Sequence, residues 1–346
     1  MNFIPHSKPT LKAKDIAIVG NVLKSGEIAQ GKVVLEFEGK VSRFLGVKAG
    51  VAVNSGTSAL HLALLALNIG PGDQVMMPSF VCSALLNAVS YTGAKPLVVD
   101  VKEDDFNIAP AAAKKMLNKR VKAIIVPHMF GAPADIKELT RFGLPVIEDC
   151  AQSIGADYRG QKAGSFGVIS ICSFYATKVM TTGEGGMVFS NQIKLLDRIR
   201  ALREYDHAIS SQTRYNYKMT DFQAALGLSQ LQSLPEFIKR RRQIARIYDN
   251  AFAGCDFITP SQVDGRDAIY YRYVIKIKKK AKFFIGQLRE NGIGASLPVF
   301  KPLHHYLKGF QCPVTDQLMD QCVSVPIYPG LSGNQVRQVC SVCASL

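Results

Sequence analysis

The chain has 346 residues, of which 47% are hydrophobic and 20% are charged, a size and composition typical of a globular protein with two domains. Its formal net charge of +15 favours anionic ligands, but no zinc finger, basic zipper or aromatic RNA-binding motif indicates nucleic acid. No apolar run approaches the roughly 18 residues that span a bilayer, and no apolar segment near residue 1 is typical of a signal peptide. We therefore expect a cytoplasmic protein that binds neither nucleic acid nor membrane. Of the eight cysteines, Cys340 and Cys343 form one Cys-x-x-Cys pair, but two more ligands at a matching spacing are lacking, so no metal site is expected.

The first half of the chain alternates short apolar strands with helices. Strands are expected at residues 51–53, 74–77, 95–99, 123–126, 145–148, 168–173 and 186–190. Helices are expected between them at residues 58–67, 84–91, 111–118 and 136–142. This alternation predicts an α/β domain with a mostly parallel sheet flanked by helices. Ligands of such sheets bind at the carboxyl ends of the strands.

The pattern changes after about residue 221. A long helix is expected over residues 222–248, with an interruption at Pro235, and is followed by a strand at 270–277 and helices at 281–290 and 334–344. We therefore predict a large ligand-binding domain of residues 1–225 and a smaller α+β domain of residues 226–346.

The segment of residues 54–59 connects a predicted strand to a predicted helix. Gly56, Thr57 and Ser58 are small residues that let backbone N–H groups approach an anion, and the start of a helix adds a favourable dipole. The pattern suits a single phosphate group. It is also the ordinary pattern of a helix N-cap.

Two carboxylates, Glu148 and Asp149, stand at the exit of the strand at 145–148. A buried carboxylate needs a cationic or hydrogen-bonding partner. A protonated pyridine nitrogen, a Mg²⁺ ion and the start of the next helix would each serve, and the motif by itself does not choose among them.

Lys178 follows the strand at 168–173 and precedes a glycine-rich segment at 183–186. A lysine beside a buried strand is costly to desolvate unless its head reaches solvent. An imine with an aldehyde removes that cost and makes the amine a nucleophile and proton carrier. Taken together, the three strand exits predict a pyridoxal phosphate site in which Lys178 holds the cofactor as a Schiff base. The sequence has neither the G-x-G-x-x-G motif of a dinucleotide-binding domain after its first strand nor a P-loop, so neither kind of nucleotide site is expected.

Motifs along almost the whole chain resemble the DegT/StrS-type sugar aminotransferases of the aspartate aminotransferase superfamily, which have the fold of type I pyridoxal phosphate enzymes. The matching segments are residues 25–27, 37–38, 54–61, 70–73, 128–135, 147–152, 173–178, 183–186, 215–221 and 325–331.

This resemblance implies a role for individual residues. Lys178 matches the catalytic lysine, Asp149 the partner of the pyridine nitrogen, and Gln152 the residue near the ring hydroxyl. The positions that match phosphate ligands are Thr57, Ser58 and Ser173, with Gly56 beside them, and Asn216, which in relatives reaches the phosphate of the neighbouring subunit. The last match implies a homodimer with shared active sites.

Two further positions carry expectations from the resemblance. Cys82 stands where many relatives have an aromatic residue stacked on the cofactor ring, so Phe80 or Tyr175 could take over the stacking, or Cys82 could pack flat against the ring. His304 lies in a segment that relatives use near the sugar, and we expect it to contact substrate.

The implied reaction is a transamination that passes through pyridoxamine phosphate. Glutamate is the expected amino donor, and a keto sugar on a nucleotide diphosphate is the expected acceptor, as in amino sugar and polysaccharide biosynthesis. Lys178 would act as general acid and base. The alternatives are a sugar dehydratase of the same fold, in which histidine replaces the lysine, a cysteine desulfurase that uses Cys82, and a non-catalytic regulator.

Overall fold

The computed structural model describes residues 3–206, 211, 213–260, 265–278 and 280–346. The strands of these residues are β1 (Ala49–Val53), β2 (Gln74–Pro78), β3 (Lys95–Val99), β4 (Val121–Pro127), β5 (Val146–Asp149), β6 (Asp157–Tyr158), β7 (Gln161–Lys162), β8 (Ile169–Ser173), β9 (Gly186–Ser190), β10 (Phe257–Ile258), β11 (Arg266–Asp267), β12 (Tyr273–Ile277) and β13 (Cys322–Val325). The α-helices are α1 (Ala13–Ser25), α2 (Lys32–Leu45), α3 (Gly56–Ala66), α4 (Ala84–Tyr91), α5 (Pro110–Met116), α6 (Ile136–Thr140), α7 (Ile193–Arg203), α8 (Asp221–Phe252), α9 (Ala281–Glu290), α10 (Pro313–Gln321) and α11 (Gly333–Ser345). Within these described ranges, no helix is both long and apolar enough to cross a bilayer.

The central sheet has seven strands in the order β1-β9-β8-β5-β4-β2-β3. Strand β9 is antiparallel to both of its neighbours, and the remaining neighbours pair in parallel. Its strands are almost continuously buried because both faces of the sheet are covered. The predicted α/β class with a mostly parallel sheet is confirmed.

The pairing register decides which strand ends meet. Gly186 at the start of β9 pairs with Val53 on one side and with Ser173 on the other. Asp149 at the end of β5 pairs with Ile171 of β8 and with Pro127 of β4. The carboxyl ends of β1, β8, β5 and β4 therefore lie along one edge of the sheet, which is where the sequence predicts a ligand.

A second, antiparallel sheet of three strands has the order β10-β12-β13. Its apolar side chains share a core with α9, α11 and the second half of α8. The second half of α8 and the elements that follow it thus build a smaller layer with a core of its own. The division of the chain between residues 225 and 226 falls inside α8 and stays a prediction.

Helix α8 is continuous over 32 residues, although Pro235 stands inside it. The expected interruption at this residue is therefore wrong. Proline removes one helical hydrogen bond at a cost of about 3 kcal/mol, but Leu234, Phe237 and Ile238 around it are buried. Their burial on α1, α2 and the core offsets the loss.

Arg241 on α8 ties the segment before β12 to the rest of the protein. Its Nη1 donates to the carbonyl oxygens of Tyr270 at 3.1 Å, Tyr271 at 3.1 Å and Ile327 at 2.8 Å. Burial lowers the pKa of Arg241 to about 10, so the guanidinium still carries its charge at neutral pH. This contact fixes where the backbone of Tyr271 lies.

We predict that Arg241→Met lowers the free energy of unfolding by about 3 kcal/mol, because three carbonyl groups lose their donor while the side-chain stem is kept. Chemical denaturation followed by circular dichroism measures the change. Lys239→Met, in the same basic run but exposed, is the matched control and should change stability by less than about 0.5 kcal/mol. Equal stability of the two variants would contradict the role of Arg241.

Candidate active site

Lys178 lies in a loop whose two ends are joined at Phe174. The Phe174 N–H donates to the Gly185 carbonyl at 2.8 Å, and the Thr182 N–H donates to the Phe174 carbonyl at 2.9 Å. Inside the loop, the Lys178 N–H donates to the carbonyl of Tyr175 at 2.9 Å. The loop is therefore closed directly after β8, and Lys178 is held near the sheet edge.

The side chain of Lys178 lines a cavity of about 650 Å³, within the size range of ligand sites. Cys82 and Gln152 line it too, so three of the predicted site residues meet here. The remaining lining residues are Met129, Tyr271, Arg272, Lys282, Ile285, Arg289, Ser296, Leu297, Pro298, Val299 and Phe300. No aspartate or glutamate is among the lining residues, whereas four of them are cationic.

Tyr271 is an aromatic side chain close to Lys178 Nζ. The Lys178 Nζ lies 5.1 Å from the centre of its ring, and its hydroxyl lies 3.4 Å from Thr177 Oγ1. Burial raises the pKa of Tyr271. The positive charges of Lys178, Arg272 and Arg241 and the hydrogen bond to Thr177 lower it by more, so that the pKa falls to about 8. The pKa of the Tyr271 phenol thus lies closer to neutral pH than that of an ordinary tyrosine.

The two carboxylates at the end of β5 have different surroundings. Glu148 is fully buried and accepts hydrogen bonds from Gly164, Phe166 and Gly167 N–H groups at 2.6–2.9 Å. It also lies 3.0 Å from His128 Nε2. Because His128 Nδ1 accepts from the Ala134 N–H, Nε2 carries the proton and donates to Glu148. Because all four donors belong to the protein, the Glu148 carboxylate is not free to bind a ligand.

Asp149 faces the other side of the strand, as neighbouring strand residues do. The Ala151 N–H donates to its Oδ1 at 2.9 Å. Burial raises the pKa of Asp149, whereas the Ala151 hydrogen bond and the positive charge of Lys178 lower it. Asp149 is thus a buried carboxylate that still gains from a cation, and the Mg²⁺ pair considered for the two carboxylates does not form.

Gln152 has a fixed side chain. Its Oε1 accepts a hydrogen bond from the Phe130 N–H at 2.9 Å, in a turn where Phe130 has a positive φ of 54°. Among the residues that the structure describes, no acceptor takes the Gln152 amide protons. The amide nitrogen is left as a donor beside the cavity.

The start of α3 meets the end of β8 very closely. A Cβ on Gly56 would lie 2.7 Å from the Ser173 Cβ, so only glycine fits there. Ser55 caps the helix by accepting from the Ser58 N–H at 3.1 Å, and Ser58 Oγ donates to Asn54 Oδ1 at 2.7 Å. The Ser58 hydroxyl is thus already used within the turn. Thr57 lies beside it and has no hydrogen bond to its hydroxyl among the described residues.

Asn216 lies next to this turn and is exposed. Its backbone carbonyl accepts from Asn54 Nδ2 at 3.4 Å, and the next carbonyl, of Tyr217, accepts from the Asn54 N–H at 2.9 Å. The structure therefore places the Asn216 segment beside the predicted phosphate group ligands of its own chain.

Cys82 is an exposed free thiol on the cavity wall. Phe80 is fully buried and packs on Phe106 and Phe130 with ring centres 5.9 and 6.2 Å away. Tyr175 is 46% exposed and does not line the cavity. Neither aromatic residue is therefore placed to substitute for a ring at position 82.

His304 lies outside the cavity lining. It is 6% exposed, its Nδ1 lies 2.6 Å from Ser79 Oγ, and its Nε2 lies 3.1 Å from Asp316 Oδ1. Both ring nitrogens thus have protein partners that fix the residues after α9. The substrate contact expected for His304 stays a prediction, without support from this geometry.

Sequence reasoning missed the cavity residues that follow α8, above all Tyr271, Arg272, Lys282 and Arg289. Lys282 and Arg289 are seven residues apart on α9, together with Ile285, so the three share one helical face. That spacing is visible in the sequence, but only the fold shows that the face points to Lys178.

The sheet edge with a lysine and a buried carboxylate at adjacent strand ends is the arrangement of a fold type I aminotransferase. A sequence model of the DegT/DnrJ/EryC1/StrS aminotransferase family matches residues 9–343, and the chain belongs to this family. The predicted family, fold type and enzyme class are confirmed.

Individual relatives agree with this assignment. The GDP-perosamine synthase of Escherichia coli O157:H7 is 34% identical in an alignment of 361 positions, which covers 98% of this chain and 97% of the relative. The aminotransferase TlmJ from Streptoalloteichus hindustanus has a TM-score of 0.95 at 28% identity, covering 99% of this chain and 98% of TlmJ. The PLP form of the putative sugar aminotransferase Spr1654 from Streptococcus pneumoniae has a TM-score of 0.93 at 25% identity, covering 99% and 98%.

We predict that one phenol of the cofactor-free protein titrates near pH 8, about two units below an ordinary tyrosine. Ultraviolet absorbance of the phenolate, recorded against pH, measures it. Tyr271→Phe should remove this step, and Lys178→Met should move it to higher pH because one positive charge is lost. Tyr175→Phe, at an exposed position, is the control that keeps the step. A step that persists in Tyr271→Phe would show that another phenol causes it.

Proposed function

We propose that this chain is a pyridoxal-phosphate-dependent aminotransferase that moves an amino group from glutamate to a keto sugar on a nucleotide diphosphate. The observation that carries the proposal is the placement of Lys178 and Asp149. Lys178 follows β8, Asp149 ends the adjacent strand β5, and Lys178 lines a 650 Å³ cavity. Among the described residues, the buried Asp149 carboxylate has one hydrogen bond donor, the Ala151 N–H.

The residues of the site fit this cofactor. The phosphate group would be held where α3 begins, by Gly56, Thr57, Ser58 and Ser173, because the N-terminus of a helix attracts anions. The backbone has no room for side chains at this point: a Cβ on Gly186 would lie 2.3 Å from the carbonyl oxygen of Ser55. Cys82 lies on the cavity wall and remains the residue proposed to pack on the ring.

When bound, pyridoxal phosphate supplies an aldehyde that binds amines and a ring that withdraws electrons from the carbon beside the amine. Lys178 holds the cofactor covalently and, when its amine is free, moves a proton at the substrate carbon. Asp149 would keep a positive charge on the pyridine nitrogen, and the Gln152 amide would donate to the ring hydroxyl.

The charge of the cavity supports an anionic acceptor. Lys178, Arg272, Lys282 and Arg289 line it without any acidic side chain, so a diphosphate is favoured there. The similarity to GDP-perosamine synthases supports a nucleotide-linked sugar in particular. His304 remains a proposed contact of the sugar, because it lies in the segment that relatives use near the sugar.

The proposed assembly is a homodimer with shared active sites in the cytoplasm. Asn216 is exposed beside the start of α3, and we propose that its side chain reaches the phosphate group of the cofactor in the neighbouring subunit.

The proposal is tested with ¹⁵N-labelled glutamate, added pyridoxal phosphate and the keto sugar precursor of GDP-perosamine. Mass spectrometry of the nucleotide sugar should show one ¹⁵N atom per product molecule. Lys178→Ala should abolish the transfer, and Asp149→Asn should slow it by at least about a hundredfold, because the ring loses its fixed counter-charge. Lys194→Ala, at an exposed position on α7, is the control.

Two outcomes would overturn the proposal. Loss of a sugar hydroxyl without uptake of ¹⁵N would favour the dehydratase of the same fold. Absence of both reactions with every nucleotide-linked and free keto sugar tried, although the protein binds pyridoxal phosphate, would favour the non-catalytic regulator.

A further inference from the structure

Arg272 lies in the cavity wall close to the reactive lysine. Its guanidinium carbon lies 5.4 Å from the centre of the Tyr271 ring, the same ring that has Lys178 Nζ at 5.1 Å. Arg272 and Lys178 line the same cavity, and Arg272 is half-buried. The positive charge of Arg272 therefore lies near Lys178 Nζ.

No carboxylate neutralises Arg272 within the part of the chain that the structure describes. Two other arginines do have such partners: Arg203 pairs with Glu38 at 2.9 Å, and Arg266 pairs with Asp105 at 2.6 Å. The side-chain partner of Arg272 is instead His6, whose Nε2 lies 3.0 Å from Arg272 Nη1. A guanidinium without a counter-ion in a closed site favours an anionic ligand.

His6 orients Arg272 without neutralising it. Burial, with the charges of Arg272 and Arg289, lowers the pKa of His6 to about 3, so the imidazole is neutral at the pH of the cell. Its ring is fixed in turn by Ser324, whose Oγ lies 2.8 Å from Nε2; in the tautomer with the proton on Nε2, that nitrogen donates to Ser324 and Nδ1, 3.3 Å from Arg272 Nη1, accepts from the guanidinium. A neutral acceptor fixes the direction of the guanidinium and leaves its charge available.

The segment that carries His6 is docked tightly. The Ile4 N–H donates to the Gly292 carbonyl at 2.9 Å, and the Gly294 N–H donates to the Ile4 carbonyl at 2.7 Å. A Cβ on Gly294 would lie 2.7 Å from the backbone nitrogen of His6. His6 is thus held in a position that depends on contacts across the whole length of the chain.

The remaining cations of the cavity differ from Arg272. Lys282 and Arg289 are exposed on α9 and do not contact the Tyr271 ring. In a transamination, two anionic substrates use one cavity in turn, and the amino donor carries its carboxylate on the carbon that bears the amine. The carboxylate must lie near Lys178, and a planar guanidinium can bind both of its oxygens.

We propose that Arg272, oriented by the neutral His6, binds a carboxylate of the amino donor, whereas Lys282 and Arg289 serve the phosphates of the acceptor. This assignment rests on the proposed function. It makes Arg272 a substrate-binding residue and His6 a positioning residue that acts through it.

The test separates the two halves of the reaction. The holoenzyme is titrated with glutamate alone, and the change of the cofactor spectrum gives the half-saturating concentration. Arg272→Met should raise this concentration by about tenfold to a hundredfold, as expected for a lost charge-assisted hydrogen bond. The KM of the keto sugar should change by less than about threefold. Arg289→Met is the matched control and should show the reverse pattern.

His6 is tested through the same titration. His6→Leu should raise the half-saturating concentration of glutamate, and His6→Gln, which keeps an acceptor, should restore part of the loss. In the Arg272→Met background, His6→Leu should add no further change, because the two residues act as one unit. A purely structural role of His6 would instead lower thermal stability and affect both substrates equally.

Two results would overturn the inference: an unchanged glutamate titration in Arg272→Met, or a shift confined to the keto sugar. Either result leaves the proposed function intact if the wild-type cofactor responds to glutamate. No response of the wild type to any amino donor is a different outcome, because it removes the proposed function along with the inference.

Discussion

The site depends on the way in which one buried carboxylate is satisfied. Glu148 accepts hydrogen bonds from His128 Nε2, after β4, and from the backbone N–H groups of Gly164, Phe166 and Gly167, before β8. Leaving such a charge unpaired would cost several kcal/mol, so these contacts hold the ends of β4, β5 and the approach to β8 in one arrangement. Since neighbouring strand residues face opposite sides, fixing Glu148 on one face presents Asp149 on the other. The same strand thus places Glu148 in a structural role and presents Asp149 toward the proposed cofactor site.

Lys178 is positioned by the backbone contacts of its loop rather than by its own side chain. The loop that contains Lys178 is closed at Phe174 by Gly185 and Thr182, and Gly186 begins β9 where no side chain fits. The glycine-rich segment after Lys178 therefore allows close approach of three strand ends. Around the amine, Tyr271 and Arg272 are brought in by Arg241 and His6 from distant parts of the chain. Their charges make this region strongly positive, which suits a reaction whose donor and acceptor are both anionic.

Much of this arrangement is readable from the sequence, and the remainder has clear reasons for escaping it. The apolar strands and the polar residues at their exits predict the parallel sheet and bring Lys178, Asp149 and Gln152 to one edge. The alternation of a strand cannot say which of Glu148 and Asp149 finds four donors, because those donors come from loops. Pro235 suggests a break in α8 that packing overrides. His6 and Arg272 meet across 266 positions, and no local pattern indicates that contact. The sugar contact expected for His304 came from family resemblance, whereas its ring is held by Ser79 and Asp316.

The central claim is that Lys178 and Asp149 together make this chain a working pyridoxal phosphate enzyme. The visible absorption spectrum of the purified protein with added pyridoxal phosphate, before and after glutamate, tests it most directly, with Lys178→Ala recorded alongside. The account predicts a visible band for the lysine-bound cofactor that bleaches when glutamate is added and is missing from the variant. A band of equal strength in Lys178→Ala, or a wild-type protein with no band at saturating pyridoxal phosphate, would contradict the account.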